Sequence, residues 1–332
     1  MEEDRFSEKQ TSEEDKETTE KKTKEVVLVA SGDSWLLQNK YSYFFGQYKS
    51  GAHGRVFFGK NLENGVEIAV KHELYEKSYL ENEYKIYKEL SLQSSFTGIP
   101  KIYDFIKHEH YGNFLVMEAL GPNLEELLNL CGGKFSIKTT TLIALKILNI
   151  LEFIHSASIV YIDLKPQNVL IGRGNNRNQI YAVDFGISKK HKNPEGKVYP
   201  WRQDLGFRGS AYYASQFSHF RATLGPGDDL QSLGYLLAKC LLGKLPWEIN
   251  LDPNDEFLEH KCLCAKLRDE KENILFQDFP EIFTQFMKYA FVLPYVEYPD
   301  YKFLKNIFEE YISKNYGKEE MLFDWELLDL KL

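Results

Sequence analysis

Three short groups of polar residues have the types and spacing suited to binding phosphate groups. The first group is S-G-A-H-G, from Ser50 to Gly54, followed about twenty residues later by Lys71. Glycines let backbone N–H groups approach phosphate oxygens, and a lysine on a strand supplies a fixed positive charge. A glycine-rich hairpin turn has the same appearance, so this group alone is a weak indication. The functional interpretation is favoured because Lys71 follows an apolar run and Glu83, on a predicted helix, can pair with it.

The second group is D-L-K-P-Q-N, which places Asp163, Lys165 and Asn168 in one short loop. Apolar residues flank the loop on both sides and Pro166 stiffens it, so the three polar side chains are expected to converge. Their types suit phosphoryl transfer. The aspartate accepts the proton of a substrate hydroxyl, the lysine stabilises charge on the phosphate, and the asparagine ligates a metal ion.

The third group is D-F-G, from Asp184 to Gly186, directly after the apolar segment 180–183. A carboxylate at the end of a strand can hold the Mg²⁺ ion that bridges nucleotide phosphates, because that ion prefers oxygen ligands. Any one group could arise by chance, but the three in this order match the protein-kinase signature set. The sequence therefore predicts ATP and Mg²⁺ as cofactors.

The segments around these groups divide into two parts. Strand-like, aromatic-rich segments run from Tyr41 to about Leu115, interrupted by one helical stretch, and long apolar-periodic helices follow Gly121-Pro122. The pattern predicts an α+β chain with a β-rich small lobe of five strands and one main helix, and a mostly helical large lobe. The predicted boundaries are an acidic tail at 1–25, an N-terminal extension at 26–40 and a kinase domain at 41–328, with the small lobe at 41–117, the hinge at 118–121 and the large lobe at 122–328.

The composition excludes several classes of protein. The chain has 332 residues, 43% of them hydrophobic, and a formal net charge of −8. An acidic chain is a poor candidate for binding nucleic acid, and no apolar run reaches the roughly 18 residues of a membrane span. The charged N-terminus is unlike a secretory signal, and four cysteines do not suggest a disulfide framework. We expect a monomer in the cytoplasm, the nucleus or both.

Residues 1–25 have the composition of a disordered tail. They hold ten acidic and six basic side chains with a single aromatic residue, Phe6. So few apolar groups cannot offset the entropy lost on ordering. The lysines at 21, 22 and 24 suit either a nuclear address or simply solvated charge.

Beyond the kinase motifs, the chain resembles the casein kinase I family of protein Ser/Thr kinases from about Asn39 onwards, about nine-tenths of its length. The resemblance rests on the segments ENEYKIYKEL, VMEALGPNLEELLN, GSAYYAS, DDLQSLGYLL, LGKLPW and FDW. It implies a bilobal protein-kinase fold, MgATP in the cleft between the lobes, and protein substrates. Lys165, two residues after Asp163, is the family pattern for serine and threonine acceptors.

The same resemblance implies the residues of the site. Met117 is the gatekeeper beside the adenine, Asp229 braces the catalytic loop, and Ser210 stands where the family has threonine. The catalytic residues are Asp163, Lys165 and Asn168, and the metal ligands are Asn168 and Asp184. The ATP-binding positions are Tyr48, Ser50, Gly51, Ala52, Gly54, Val56, Ala69, Lys71, Glu83, Met117, Glu118, Leu120 and Leu170.

Two loops of the site depart from the family pattern. Lys49 replaces the first glycine of the glycine-rich loop, where it would either loosen ATP or help to hold it, and His53 replaces a phenylalanine. The family's H-R-D becomes Tyr161-Ile162-Asp163. An arginine at that place commonly pairs with a phosphorylated activation loop, and isoleucine cannot. We therefore expect activity that does not depend on such phosphorylation.

Substrate recognition is expected to differ as well. Pro226-Gly227 stands where the family has two arginines, and the loop after the P-W motif carries acidic side chains. They are Glu248, Asp252, Asp255 and Glu256. An anionic group would be repelled there, so the sequence predicts a weakened preference for primed, phosphorylated substrates. Positive charge remains at Lys189, Lys190, Lys192, Arg202 and Arg208.

Several other polar or aromatic residues receive a structural interpretation. Asp104 and Asp300 are predicted to be solvated turn carboxylates. Tyr295, Tyr298 and Tyr301 are predicted to be surface or core aromatics rather than part of a cofactor site.

Two other classes of function stay open. A pseudokinase or ATP-binding scaffold is suggested by Lys49, Tyr161 and Ile162, although a degenerate site usually lacks a metal ligand or the catalytic carboxylate, and here each is present. An interaction protein built around the acidic tail explains none of the motif spacing. The favoured prediction is an active Ser/Thr kinase.

Overall fold

The computed structural model describes residues 28–31, 34–51, 54–74, 79–93, 96–249, 252–272, 274–317 and 321–328. The predicted acidic tail therefore lies outside the described residues. Ala52 and His53, at the predicted tip of the glycine-rich loop, lie outside them as well.

The small lobe contains an antiparallel seven-stranded sheet with the spatial order β1-β2-β3-β4-β5-β7-β6. Its strands are β1 (Leu28–Ser31), β2 (Ser34–Leu37), β3 (Tyr41–Gly51), β4 (Gly54–Asn61), β5 (Glu67–Glu73), β6 (Ile102–His108) and β7 (Gly112–Glu118). Aromatic and β-branched side chains favour this pleated, half-buried conformation. Helix α1 (Tyr79–Ser91) packs against β6 and β7.

The sheet extends further towards the N-terminus than the five predicted strands. Strand β2 pairs with β3, and β1 pairs with β2, so the sheet crosses the predicted domain boundary at residue 41. Leu37 of β2 is fully buried beside Tyr41 in the apolar cluster of the small lobe. Removal of this apolar surface from water attaches the N-terminal extension to the small lobe.

The large lobe is mostly helical, as predicted. Its helices are α2 (Leu124–Leu130), α3 (Ile137–Ser156), α4 (Gln216–His219), α5 (Pro226–Leu242), α6 (Pro246–Ile249), α7 (Leu258–Glu272), α8 (Glu281–Val292) and α9 (Tyr301–Asn315). Short strands pair as β8 (Ile159–Val160) with β11 (Lys189–Lys190), and β9 (Val169–Ile171) with β10 (Ile180–Ala182). Among the described helices, none is long and apolar enough to cross a membrane.

Helix α5 forms the centre of the large lobe. Nearly all of its side chains are buried, and it packs against α3, α4 and α8. Because α5 is buried on all sides, the catalytic segments that pack around it have a rigid support. Asp300, predicted to be a solvated carboxylate, is exposed and also caps α9, accepting the Phe303 N–H at 2.9 Å.

Candidate active site

The register of the small-lobe sheet places predicted nucleotide-binding side chains on one face. Val56 lies opposite Lys71 in the β4–β5 pair, and Ala69 lies opposite Met117 in the β5–β7 pair. Cross-strand partners share a face of a sheet, and so do residues two apart in one strand. All four side chains therefore point to the same side. Ala69, Lys71 and Met117 are buried there, and Val56 is half-buried.

The hinge connects β7 to α2. The Glu118 N–H donates to a carbonyl just before β6, and the Gly121 N–H donates to a carbonyl in β9, so the hinge backbone is attached to both lobes. Leu120 is buried, and Leu170 in β9 is half-buried. These residues supply the apolar surface that the sequence predicted for an adenine pocket.

The glycine-rich loop is described up to its tip. Tyr48 and Ser50 lie in β3, and Gly51 lies opposite Gly54 in the β3–β4 pair. Gly54 has a φ of 137°, and a Cβ there would lie 2.4 Å from the carbonyl oxygen of His72. Glycine is therefore required by the close approach of β4 to β5, in addition to the phosphate contact predicted for it.

Lys49, the residue that replaces the first glycine, contacts the other lobe. Its Nζ lies 2.5 Å from Oε1 of Glu126 in α2. A second ion pair joins the lobes, with Arg173 Nη1 2.8 Å from Oε2 of Glu67 at the start of β5. The structure thus gives Lys49 a partner across the cleft, and we call these two contacts the interlobe pairs.

Lys71 is the centre of a buried ion-pair network. Its Nζ lies 2.6 Å from Oε2 of Glu83 in α1 and 2.9 Å from Oδ1 of Asp184. Burial opposes the charge of the ammonium, but the attraction of the two carboxylates outweighs it and raises the pKa of Lys71. The structure therefore brings together the lysine, the helix glutamate and the D-F-G aspartate that the sequence placed far apart.

The catalytic loop holds its three polar side chains within hydrogen-bond distance. Asp163 accepts from Lys165 Nζ at 2.6 Å, from the amide of Asn168 at 3.0 Å, and from the Ser210 hydroxyl at 2.8 Å. Lys165 also donates to the Ser210 hydroxyl at 2.9 Å. Asp163 is buried and Lys165 half-buried, so both side chains have fixed orientations at the edge of the cleft.

Asp229, in the first turn of α5, holds the backbone of the same loop. Its carboxylate accepts the N–H groups of Tyr161 and Ile162, each at 2.7 Å. Ile162 has a φ of 77°, which is unfavourable for a β-branched residue. The predicted brace is therefore present, and it supports a strained peptide next to Asp163.

Tyr161, which replaces the family's histidine, connects the catalytic loop to the D-F-G segment. Its hydroxyl donates to the carbonyl of Val183, and its ring lies edge-on to Phe185 with centroids 5.0 Å apart. Tyr87 of α1 packs on the same phenylalanine at 4.9 Å. The sequence indicated Tyr161 only as a departure; the structure shows a tyrosine that joins three segments of the site.

The residues present fit a magnesium ion. Asp184 offers carboxylate oxygen, and Asn168 uses its amide nitrogen on Asp163, which leaves the amide oxygen as the atom that could ligate a metal. In the described part of the chain no group of three or more His, Cys, Asp or Glu side chains could hold a metal alone. Magnesium is typically bound by one or two protein carboxylates, with water and substrate phosphates completing its shell.

The position where the family has two arginines lies in the first turn of α5. Pro226 and Gly227 are buried at the start of α5, and a Cβ on Gly227 would lie 3.4 Å from the Leu293 carbonyl oxygen. That distance is an ordinary van der Waals contact, so this position lacks the charge of the arginines rather than the space for a side chain.

The acidic loop after the P-W motif carries less free charge than the sequence predicted. Glu248 accepts from Lys239 Nζ at 3.1 Å and from the Leu245 N–H at 2.6 Å. Asp255 pairs with Lys261 and caps the chain before α7. Asp252 and Glu256 remain exposed.

Lys266 is a buried residue that the sequence analysis missed. Its Nζ donates to the carbonyls of Ala211 and Ala214, both at 2.7 Å, and lies 3.0 Å from Nε2 of His219. It also lies 4.7 Å from the ring centroid of Tyr235. The lysine thereby fixes the segment that carries Ser210. There was little indication of this burial in the sequence, because the buried positions of α7 are Cys262, Lys266 and Asp269, two of which are charged.

We expect Lys266 to make the stability of the fold depend on pH. Burial lowers the pKa of Lys266 from 10.5 to about 7. Between those values the folded chain binds fewer protons than the unfolded chain, so the free energy of unfolding rises with pH. Relative to Lys266→Met, wild type should gain about 2 kcal/mol between pH 7 and 9, measured by urea unfolding.

The neighbours of Lys266 do not titrate in that window. Burial and the charge of Lys266 lower the pKa of His219 to about 3, and burial raises the pKa of Cys262 to about 11. The methionine variant therefore removes one titration only. Parallel stability profiles for the two proteins would show that Lys266 keeps its ordinary protonation.

Comparison with known proteins shows the family to which the sequence is similar. Residues 47–313 match the family model described as protein kinase domain. The chain is 38% identical over 284 residues to "Casein kinase I homolog 1" of Schizosaccharomyces pombe, covering 84% of this chain and 63% of that protein. It is 36% identical over 284 residues to "Casein kinase I homolog 2" of the same organism, covering 84% and 64%. The chain thus spans less than two thirds of the length of these relatives.

Proposed function

The chain belongs to the casein kinase I family of protein kinases, and from that premise we propose that it transfers the γ-phosphate of MgATP to serine and threonine hydroxyls of proteins. One observation carries the proposal: the Lys71–Glu83–Asp184 network and the Asp163–Lys165 pair are formed together. Degenerate sites lack one of these groups, so the geometry favours an active enzyme over a scaffold.

Each group has a distinct task in the reaction. Asp163 orients the acceptor hydroxyl and takes its proton, and Lys165 stabilises negative charge on the phosphoryl group as it moves. Lys71, held by Glu83, pairs with the nucleotide phosphates. Magnesium, held by Asn168 and Asp184, neutralises phosphate charge when bound.

The experiment that tests the proposal is transfer of labelled phosphate from MgATP to casein, followed by identification of the phosphorylated residues. Wild type should label serine and threonine, and Asp184→Asn should not. If wild type binds nucleotide but transfers no phosphate, the pseudokinase alternative replaces the proposal. Labelling of tyrosine alone would contradict the acceptor class.

We further propose that activity does not depend on phosphorylation of the activation loop. Ile162 is buried in an apolar cluster with Val160 and Leu224, so the place of the family's arginine offers no charge to a phosphate. Phosphatase treatment should therefore leave kcat unchanged; a large loss would contradict this proposal.

The preference for primed substrates is proposed to be weak. The buried Pro226-Gly227 supports this, and two of the remaining cations are engaged, since Lys190 pairs with Glu89 and Lys192 lies 4.1 Å from the ring centroid of Tyr298. Peptides with serine or phosphoserine three residues before the acceptor should have similar kcat/KM. A strong preference for the phosphorylated peptide would overturn this part.

A further inference from the structure

A buried series of hydrogen-bonded side chains runs from α9 to the back of the catalytic loop. The Tyr301 hydroxyl hydrogen-bonds Nδ1 of His155, and Nε2 of His155 lies 2.9 Å from Oδ2 of Asp229. All three side chains are buried. Their elements are far apart in sequence: Tyr301 is the first residue of α9, His155 lies in the last turn of α3, and Asp229 lies in the first turn of α5.

The direction of these hydrogen bonds follows from the chemistry of the three groups. A carboxylate only accepts, so the nitrogen of His155 that faces Asp229 must carry a proton. In neutral imidazole the other nitrogen then accepts, which makes the Tyr301 hydroxyl the donor. Burial raises the pKa of Tyr301 well above its ordinary value, so that hydroxyl keeps its proton.

This series of hydrogen bonds ends at the strained part of the site. Asp229 accepts the N–H groups of Tyr161 and Ile162, and Ile162 has a φ of 77°. Such a conformation is unfavourable and persists only where the surroundings enforce it. The next residue is Asp163, so any relaxation of this peptide displaces the catalytic carboxylate.

We propose that Tyr301 is a positioning residue for phosphate transfer: through His155 and Asp229 it holds the Ile162 peptide in the conformation that aims Asp163. The inference rests on the proposed function. Helix α9 packs against α3, the helix that carries His155. A misplaced reacting group can lower a rate strongly without any loss of binding.

The test is Tyr301→Phe, which keeps the ring and removes the hydroxyl. We expect kcat for casein to fall roughly three- to tenfold with KM for ATP unchanged. Amide hydrogen exchange at Tyr161 and Ile162, followed by NMR, should become faster. The matched control is Tyr298→Phe, which removes a hydroxyl 3.2 Å from Nδ1 of His191 and should change neither quantity.

A second variant separates positioning from local packing. Ile162→Leu conserves volume and removes the β-branch, so it lowers the cost of a positive φ. In that background Tyr301→Phe should reduce kcat by a smaller factor than it does in wild type. An unrelated packing defect would reduce kcat by the same factor in both backgrounds. Unchanged kcat in Tyr301→Phe, or an equal loss in Tyr298→Phe, overturns the inference. If wild type transfers no phosphate, the proposed function fails, and amide exchange alone decides whether Tyr301 supports the loop.

Discussion

Asp163→Asn is expected to lower kcat for phosphate transfer by about 10²–10⁴-fold, the usual contribution of a general base. The amide cannot take the proton of the acceptor hydroxyl. The substitution also removes the negative charge that now lies 2.6 Å from the Lys165 ammonium. The measurement is kcat with casein under saturating MgATP.

The control for Asp163→Asn is Asp104→Asn. Asp104 lies in β6, where it accepts the Phe105 N–H at 2.9 Å and makes no contact with the catalytic loop. The same chemical change there should leave kcat at the wild-type value. Retention of more than about a tenth of the activity in Asp163→Asn would mean that another group accepts the proton.

Lys71→Met is expected to destabilise the folded chain by about 3–5 kcal/mol in the absence of magnesium and nucleotide. The change leaves the carboxylates of Glu83 and Asp184 close together in a buried place without the cation that now lies between them. Urea unfolding in a metal-free buffer measures the effect.

The double variant Lys71→Met/Glu83→Gln tests the cause of that loss. Removal of one carboxylate charge should restore at least half of the lost stability, because an uncompensated buried charge is the larger part of the penalty. If the changes in the free energy of unfolding caused by the two substitutions simply add, loss of the ion pair is not the cause of the destabilisation. Phosphate transfer should be absent in both variants, since neither has the lysine that binds the phosphates.

The sequence was enough to predict the proximity of site residues that are close together along the chain. Asp163, Lys165 and Asn168 lie within six residues, so a rigid loop was enough to bring them together. The Lys71–Glu83 pair was predictable because strand β5 leads almost directly into α1. Ala69 and Met117 were expected from the family resemblance, and the observed register of the sheet puts them on the same face as Lys71.

The contacts that the sequence analysis missed join segments far apart in the chain. Glu248 was expected to be free, and it is neutralised by Lys239 on α5. Lys266 and Tyr301 are buried because α7 and α9 pack against other parts of the large lobe. No local sequence pattern predicts that Lys266 contacts the Ala211 carbonyl or that Tyr301 contacts His155. Lys49 could not be assigned a partner, since Glu126 belongs to the other lobe.

The interlobe pairs have a consequence for the release of ADP. Lys49, Glu126, Arg173 and Glu67 are each about half exposed, so each pair contributes at most about 1 kcal/mol and weakens with added salt. Under the proposed function, ADP occupies the cleft between the lobes, and breaking these two pairs widens that cleft. We therefore expect the rate of ADP release to increase with ionic strength. If ADP release limits turnover, kcat should increase as well.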